Sequence, residues 1–135
     1  MSDMFLPLKV SATGLEAQKI RMNVIASNIA NANSTRTPEG GPYRRKDVLF
    51  ESYLYDESSV GVNIPKIVEY QGAFKRVYEP GHPDADKEGY VNYPNVDNIA
   101  EMVNLISATH AYEANLTLIT AYKDMFTKTL AILQA

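Results

Sequence analysis

Apolar side chains recur every three or four residues near both ends of the chain, while helix breakers crowd its middle. The first periodic stretch runs from about Pro7 to Ile29, with Leu8, Ala12, Leu15, Met22, Ile25, Ala26 and Ile29 on one stripe. That spacing predicts a helix. Pro7 suits its first turn, where a missing N–H costs little. Gly14 opposes the helix by about 1 kcal/mol relative to Ala. The second stretch runs from about Val96 to Gln134 without a Pro or Gly. Leu105, Tyr112, Ile119, Phe126 and Leu133 repeat at strict intervals of seven. A neighbouring row of Met102, Thr109, Leu116, Lys123 and Leu130 completes an expected coiled-coil-like seam, imperfect at Thr109 and Lys123. Asn95, Asp97 or Asn98 would cap its start.

Six of the seven Pro lie between Pro38 and Pro94, and six of the seven Gly between Gly40 and Gly89. Seven of the nine Tyr fall in the same region, and turn formers mixed with aromatics predict short strands. The candidate strands are Val48–Tyr55, Val60–Val68, Phe74–Tyr78 and Gly89–Tyr93. The expected class is α+β, with long terminal helices pairing as an antiparallel coiled coil. Residues 1–37 supply one half of that core and an Asn-rich corner, 38–95 a small β-rich middle domain, and 96–135 the other half.

Geometry makes the second helix too long for its own body. About 38 residues at 1.5 Å each span roughly 57 Å, whereas a compact chain of this size has a radius of gyration of about 14 Å. The first helix is expected to be shorter by about four turns, which leaves part of the seam uncovered. Covering its five large side chains is worth roughly 7–15 kcal/mol before entropy. The terminal helices are therefore expected to be partly disordered alone and ordered on assembly. The simpler alternative is a closed, monomeric helical hairpin with a β insert.

Charge adds a modest complementarity. Residues 1–37 carry four basic and two acidic side chains, and residues 96–135 two basic and four acidic. The whole chain of 135 residues has a net charge of −3, which gives no electrostatic footprint for nucleic acid. The absence of Cys excludes disulfides, thiolate metal sites and a Cys nucleophile. Asp3 and Pro7 interrupt the start and no basic region precedes an apolar run, so no cleaved signal peptide is expected. No stretch approaches the ~20 apolar residues of a membrane span.

Candidate chemistry is thin. His82, Asp84, Asp86 and Glu88 could suggest a cation site, but they sit in a Pro- and Gly-bounded turn and lack the ligand order of a calcium loop. Arg44, Arg45 and Lys46 read as a solvated turn or an inter-subunit charge contact. His82 and His110 are the only histidines, and no phosphate loop or nucleophile elbow is present. No cofactor and no catalysis are expected. Asn28, Asn31 and Asn33 lie where the first helix ends, and Asn tolerates the left-handed backbone that a corner can use.

Three segments carry a family resemblance. QKIRMNVIASNIANANST, residues 18–35, resembles the N-terminal signature shared by bacterial flagellar rod and hook proteins. EMVNLISATHAYEAN, residues 101–115, is similar to the C-terminal helix signature of the same axial family. Between them, YEPGHPDADKEGYV at 78–91 and YPNV at 93–96 resemble the proximal-rod type in particular. RTPEGGP at 36–42 departs from the general axial pattern, which runs directly into a Gly-Tyr-x-Arg turn. The resemblance implies a structural subunit exported unfolded through the flagellar type III apparatus and polymerised helically in the periplasmic rod. It implies contacts with itself, with other proximal and distal rod proteins and with the rod–MS-ring junction protein, and no membrane insertion. The assembly residues expected on this basis are the two seam rows and the corner. They are Leu8, Leu15, Met22, Ile25 and Ile29 with Asn28, Asn31 and Asn33, and Met102, Leu105, Tyr112, Leu116, Ile119, Phe126, Leu130 and Leu133. Another axial component of rod or hook is the alternative.

Overall fold

The computed structural model describes residues 4–57 and 59–135. Two long helices flank four strands, in the order α1 (Leu6–Ala30), β1 (Lys46–Asp56), β2 (Ser59–Glu69), β3 (Lys75–Tyr78), β4 (Tyr90–Tyr93) and α2 (Asn98–Leu133). The fold is α+β. Each sheet has two antiparallel strands. β1 pairs with β2 from Lys46↔Glu69 to Asp56↔Ser59, with register shifts after Leu49 and after Leu54. β3 pairs with β4 from Lys75↔Tyr93 to Tyr78↔Tyr90.

The helix ends follow their local chemistry. Pro7 lies in the first turn of α1. Asp97 caps α2, its carboxylate accepting from the backbone N–H groups of Ile99 and Ala100. Glu101 adds negative charge to the same first turn, where the helix dipole favours it.

α1 packs on α2 along one face and on β1 and β2 along another. Contacts along the pair run in opposite directions. Phe5 meets Phe126 with ring centroids 5.7 Å apart, Met22 meets Thr109, and Asn28 meets Glu101. The helices are therefore antiparallel. On the other face Thr13 Oγ1 accepts the N–H of Val62 at 3.1 Å, joining α1 to β2. Gly14 permits a close helical approach: a Cβ there would lie 3.2 Å from the Asn115 side chain. That contact accounts for a glycine which propensity disfavours.

The seam of α2 differs from expectation in one row. Leu105, Tyr112, Ile119 and Phe126 are half-buried toward α1. Their companions are Glu101, Ala108, Asn115 and Tyr122, each buried or half-buried, which alternate with them at spacings of four and three. The expected companion row lies one residue further round and mostly faces outward, although its Thr109 is half-buried against Met22. Met102 is 53% exposed, Leu116 47% and Leu130 42%. The true companions are mostly polar or small, so apolar content alone selects the wrong row. The length difference also shrinks. α1 has 25 residues and α2 has 36, a difference of about three turns rather than four.

Candidate assembly site

The two ends of the helix pair are chemically unlike. At one end is a buried polar knot. Asn28 is 0% exposed, and its side chain is fully engaged. Its Oδ1 accepts from the Lys46 N–H at 2.9 Å and from the Tyr43 hydroxyl at 3.0 Å. Its Nδ2 donates to the Lys46 carbonyl at 2.8 Å and to Glu101 Oε2 at 3.0 Å. Glu101, 1% exposed, accepts from Arg45 Nε through its other oxygen at 2.6 Å. Arg45 also bonds Asp47 at 2.9 Å. Burial works against the Arg45 charge, but the hydrogen bonds to Glu101 and Asp47 outweigh it and raise the guanidinium above its ordinary pKa.

Asn95 extends the knot. Its Oδ1 accepts the Arg45 N–H at 2.8 Å, and its amide donates to the carbonyls of Tyr70 and Gly72. The Lys75 ammonium donates to the Val96 carbonyl at 2.6 Å. Both helices, both sheets and the chain before β1 are thus bonded at one place. The largest fully buried side chains are Glu101, Val91, Val96, Asn28 and Pro94, which belong to this same stretch of the sequence and to residue 28. Buried polar groups are tolerated when every donor and acceptor is matched, as here.

The expected corner at Asn28, Asn31 and Asn33 divides in three. Asn28 is the centre of the knot. Asn31 closes α1 with its side-chain amide on the Ser27 carbonyl at 2.9 Å, and its Oδ1 accepts from Ser34. Its φ of −101° is not left-handed, and among the described residues no residue other than Gly has positive φ. The corner is set by side-chain bonds rather than by an unusual backbone. Asn33 is exposed. Arg45 also departs from its reading as a solvated or inter-subunit charge, because its guanidinium is committed inside the chain. Arg44 lies over the Phe74 ring, 4.3 Å from its centroid.

The acidic turn is internally neutralised. Asp84 pairs with Arg36 and accepts from the Thr35 hydroxyl, which lowers its pKa. Asp86 accepts the N–H groups of Tyr90 and Glu88 and pairs with Arg76, which lowers its pKa too. Glu88 shares Arg76 at 2.8 Å. Gly89, with φ of +84°, closes the turn. Among the described residues no group of three His, Cys, Asp or Glu side chains is placed to hold a metal.

The other end of the pair is apolar and open. α2 continues past the Phe5–Phe126 contact, where Met4, Tyr122, Met125, Phe126, Leu130 and Leu133 border a cavity of about 290 Å³. The Tyr122 hydroxyl donates to the Met4 carbonyl at its rim. Leu133 is 77% exposed, Ile132 75% and Met125 62%. Of the expected α1 residues, Ile25 is buried, and Leu8, Leu15, Met22 and Ile29 are half-buried. These are chiefly intramolecular positions, whereas Met102, Leu116, Leu130 and Leu133 present free surface. No helix among the described residues is long and apolar enough to cross a membrane.

Comparison with known proteins settles the family. Residues 8–36 match a family model described as flagella basal body rod protein, and residues 87–132 match the C-terminal model of the flagellar basal body rod FlgEFG proteins. The flagellar basal-body rod protein FlgC of Borreliella burgdorferi is 43% identical, over 97% of this chain and 98% of the relative. The chain belongs to the FlgC family of flagellar basal-body rod proteins. FlgC of Aquifex aeolicus is 44% identical over 96% of each chain, and FlgC of Bacillus subtilis is 44% identical over 95% of this chain and 97% of the relative. Both models and all three relatives carry the name of basal-body rod proteins. Membership of the FlgC family identifies a structural component of the basal-body rod. The two family models cover most of α1 with its corner and α2 with β4, and leave β1, β2 and β3 unmatched.

Proposed function

We propose that this FlgC-family chain is a subunit of the proximal rod that polymerises helically through its terminal helices, forming a torque-transmitting shaft around the export channel. The observation that carries the reading is surface. The accessible area is 9391 Å², against about 7,000 Å² for a folded monomer of this mass. The excess of roughly 2,000 Å² matches the area that two or three standard interfaces take from one partner. It is also apolar, since the surface of α2 that α1 leaves uncovered carries Met102, Val103, Ile106, Leu116, Leu118, Met125 and Leu130 at several positions round the helix.

The helix pair makes the inner layer, as a coiled coil completed by neighbouring copies. The region between residues 38 and 95 forms the outer part. Its partners are other copies, other proximal and distal rod proteins and the rod–MS-ring junction protein. Delivery is through the flagellar type III apparatus to the periplasm. A helix pair that gains its last burial only on assembly suits a chain that must pass through a channel unfolded. The role is mechanical, not catalytic.

Deleting residues 121–135 tests the reading. Loss of rod formation and of swimming is expected, and normal swimming after the deletion would refute it.

A further inference from the structure

The large seam residues repeat every seven positions on both helices, as Leu8, Leu15, Met22 and Ile29 on α1 and Leu105, Tyr112, Ile119, Phe126 and Leu133 on α2. Moving α1 by one heptad, about 10.5 Å, toward the C-terminal end of α2 would keep its large apolar groups facing the α2 seam. It would also bring Phe5 and Leu8 over the last turns of α2 and cover Leu130 and Leu133. The movement would have to be taken up by residues 31–45, between α1 and β1, at the expense of turn bonds such as Tyr43 N–H to the Ser34 carbonyl at 2.9 Å. Apolar matching alone does not forbid the slip, which exchanges cover of Leu105 for cover of Leu130 and Leu133, yet the chain does not adopt it.

We infer that the knot of Asn28, Arg45 and Glu101 is a register lock, which holds α1 one heptad short of the α2 tip and so keeps that tip open for a neighbouring subunit. This rests on the helix pair being the assembling core. In the slipped pair Asn28 leaves Glu101, and the residue seven further on, Thr35, would take its place only by drawing residues 31–35 into a helix that now ends at Ala30. A hydroxyl cannot replace an amide that donates to both Glu101 and Lys46 while accepting from Lys46 and Tyr43. Glu101 would keep its burial and lose a donor, and the Lys46 backbone groups would lose both partners. Thr35 would also leave Asp84, which it now bonds at 2.9 Å.

Packing adds to the penalty at two further positions. Arg21 would replace Gly14 against Asn115, where even a Cβ would sit 3.2 Å away, and Val24 would replace Ala17, which is 3% exposed. The lock works by making the alternative register worse, as a single buried polar residue does in coiled coils. The opposite slip needs no lock, because it uncovers Phe126 and lengthens the bare tip.

The chain has no Cys, so an introduced pair reports register without background. Met22→Cys with Thr109→Cys reports the observed register, in which the Met22 sulfur and the Thr109 hydroxyl are 3.6 Å apart. Ile29→Cys with Thr109→Cys reports the slip, which puts residue 29 where residue 22 stood. A disulfide requires Cα atoms within about 7 Å, so each pair reads one register. The full chain would be produced in a flagellated bacterium as its only copy of this rod protein, oxidised, and recovered both free and in isolated basal bodies.

With the knot intact, the 22–109 disulfide forms and the 29–109 disulfide does not. The triple variant Asn28→Leu, Arg45→Met and Glu101→Leu fills the knot with apolar groups, which keeps the fold while removing the polar code. In it the 29–109 disulfide appears and the 22–109 disulfide falls, and Glu101→Ala shifts the two in the same direction. Unchanged and exclusive 22–109 bonding in the triple variant would overturn the lock, as would loss of both disulfides, which would make the knot a folding requirement only. Absence of the intact-knot chain from basal bodies would strike instead at the proposed function.

Discussion

The knot end and the tip end of the helix pair lie on one continuous seam, but they are built on opposite principles. At the knot, Asn28 and Glu101 are sealed from water, and every hydrogen-bonding group of the Asn28 side chain is used. At the tip, Leu130, Ile132 and Leu133 are exposed beside an apolar cavity. Polar matching is directional and fixes one geometry. Apolar area is non-directional and rewards any cover. A subunit that must be specific inside and adhesive outside gains from separating the two along its length.

The largest expected effect falls on the tip. Leu130→Asp combined with Leu133→Asp should abolish swimming and rod incorporation, while leaving the free chain's unfolding free energy from urea titration within about 0.5 kcal/mol of the parent, as surface changes usually do. A large fall in the stability of the free chain would mean that the tip is core. Glu101→Ala should do the reverse. It leaves buried Asn28 and half-buried Arg45 without their carboxylate and should cost about 3 kcal/mol in the free chain, measured by urea unfolding. A cost below 1 kcal/mol would show that the knot is solvated. Asp97→Ala removes the cap of α2 and should cost about 1 kcal/mol by the same measurement, with helix content at the α2 start reduced in circular dichroism.

The smallest effect concerns acid. Asp84 and Asp86 have pKa values lowered in the folded chain. Below the ordinary carboxylate range, near pH 4, the unfolded chain takes up protons that the folded turn still refuses. The stabilisation they give is thus present above that range and lost as pH falls through and below it. Asp84→Asn should flatten the acid limb of the stability curve. An unchanged acid limb would mean that the Arg36 and Thr35 contacts are not held in solution.

The same contrast explains what could be read from the amino-acid order. The expected helices, 7–29 and 96–134, differ from the observed 6–30 and 98–133 by one or two residues at each end. All four strands lie where alternation and breakers put them. Breakers and caps act locally, so they are legible. The companion row of the seam was not legible, because Glu101, Ala108 and Asn115 carry no hydrophobic signal and the eye moves to Met102 and Leu116. The fixed alternation of four and three from Leu105 would have located Glu101 and Ala108. In the sequence Asn28 reads as a corner residue, yet its burial depends on Tyr43, Lys46 and Glu101, the last 73 residues away. Long-range polar matching of that kind has no periodicity to betray it. Arg45 was hidden for the same reason, inside what looked like a surface cluster.

The central claim is that the uncovered face and tip of α2 are completed by other subunits. A density map of the rod in intact basal bodies tests it most directly. The account predicts Met125, Leu130 and Leu133 packed against neighbouring chains, with Glu101 still enclosed within its own. A map in which the last two turns of α2 lie in solvent, or fold back onto their own subunit with no neighbour near them, would contradict it.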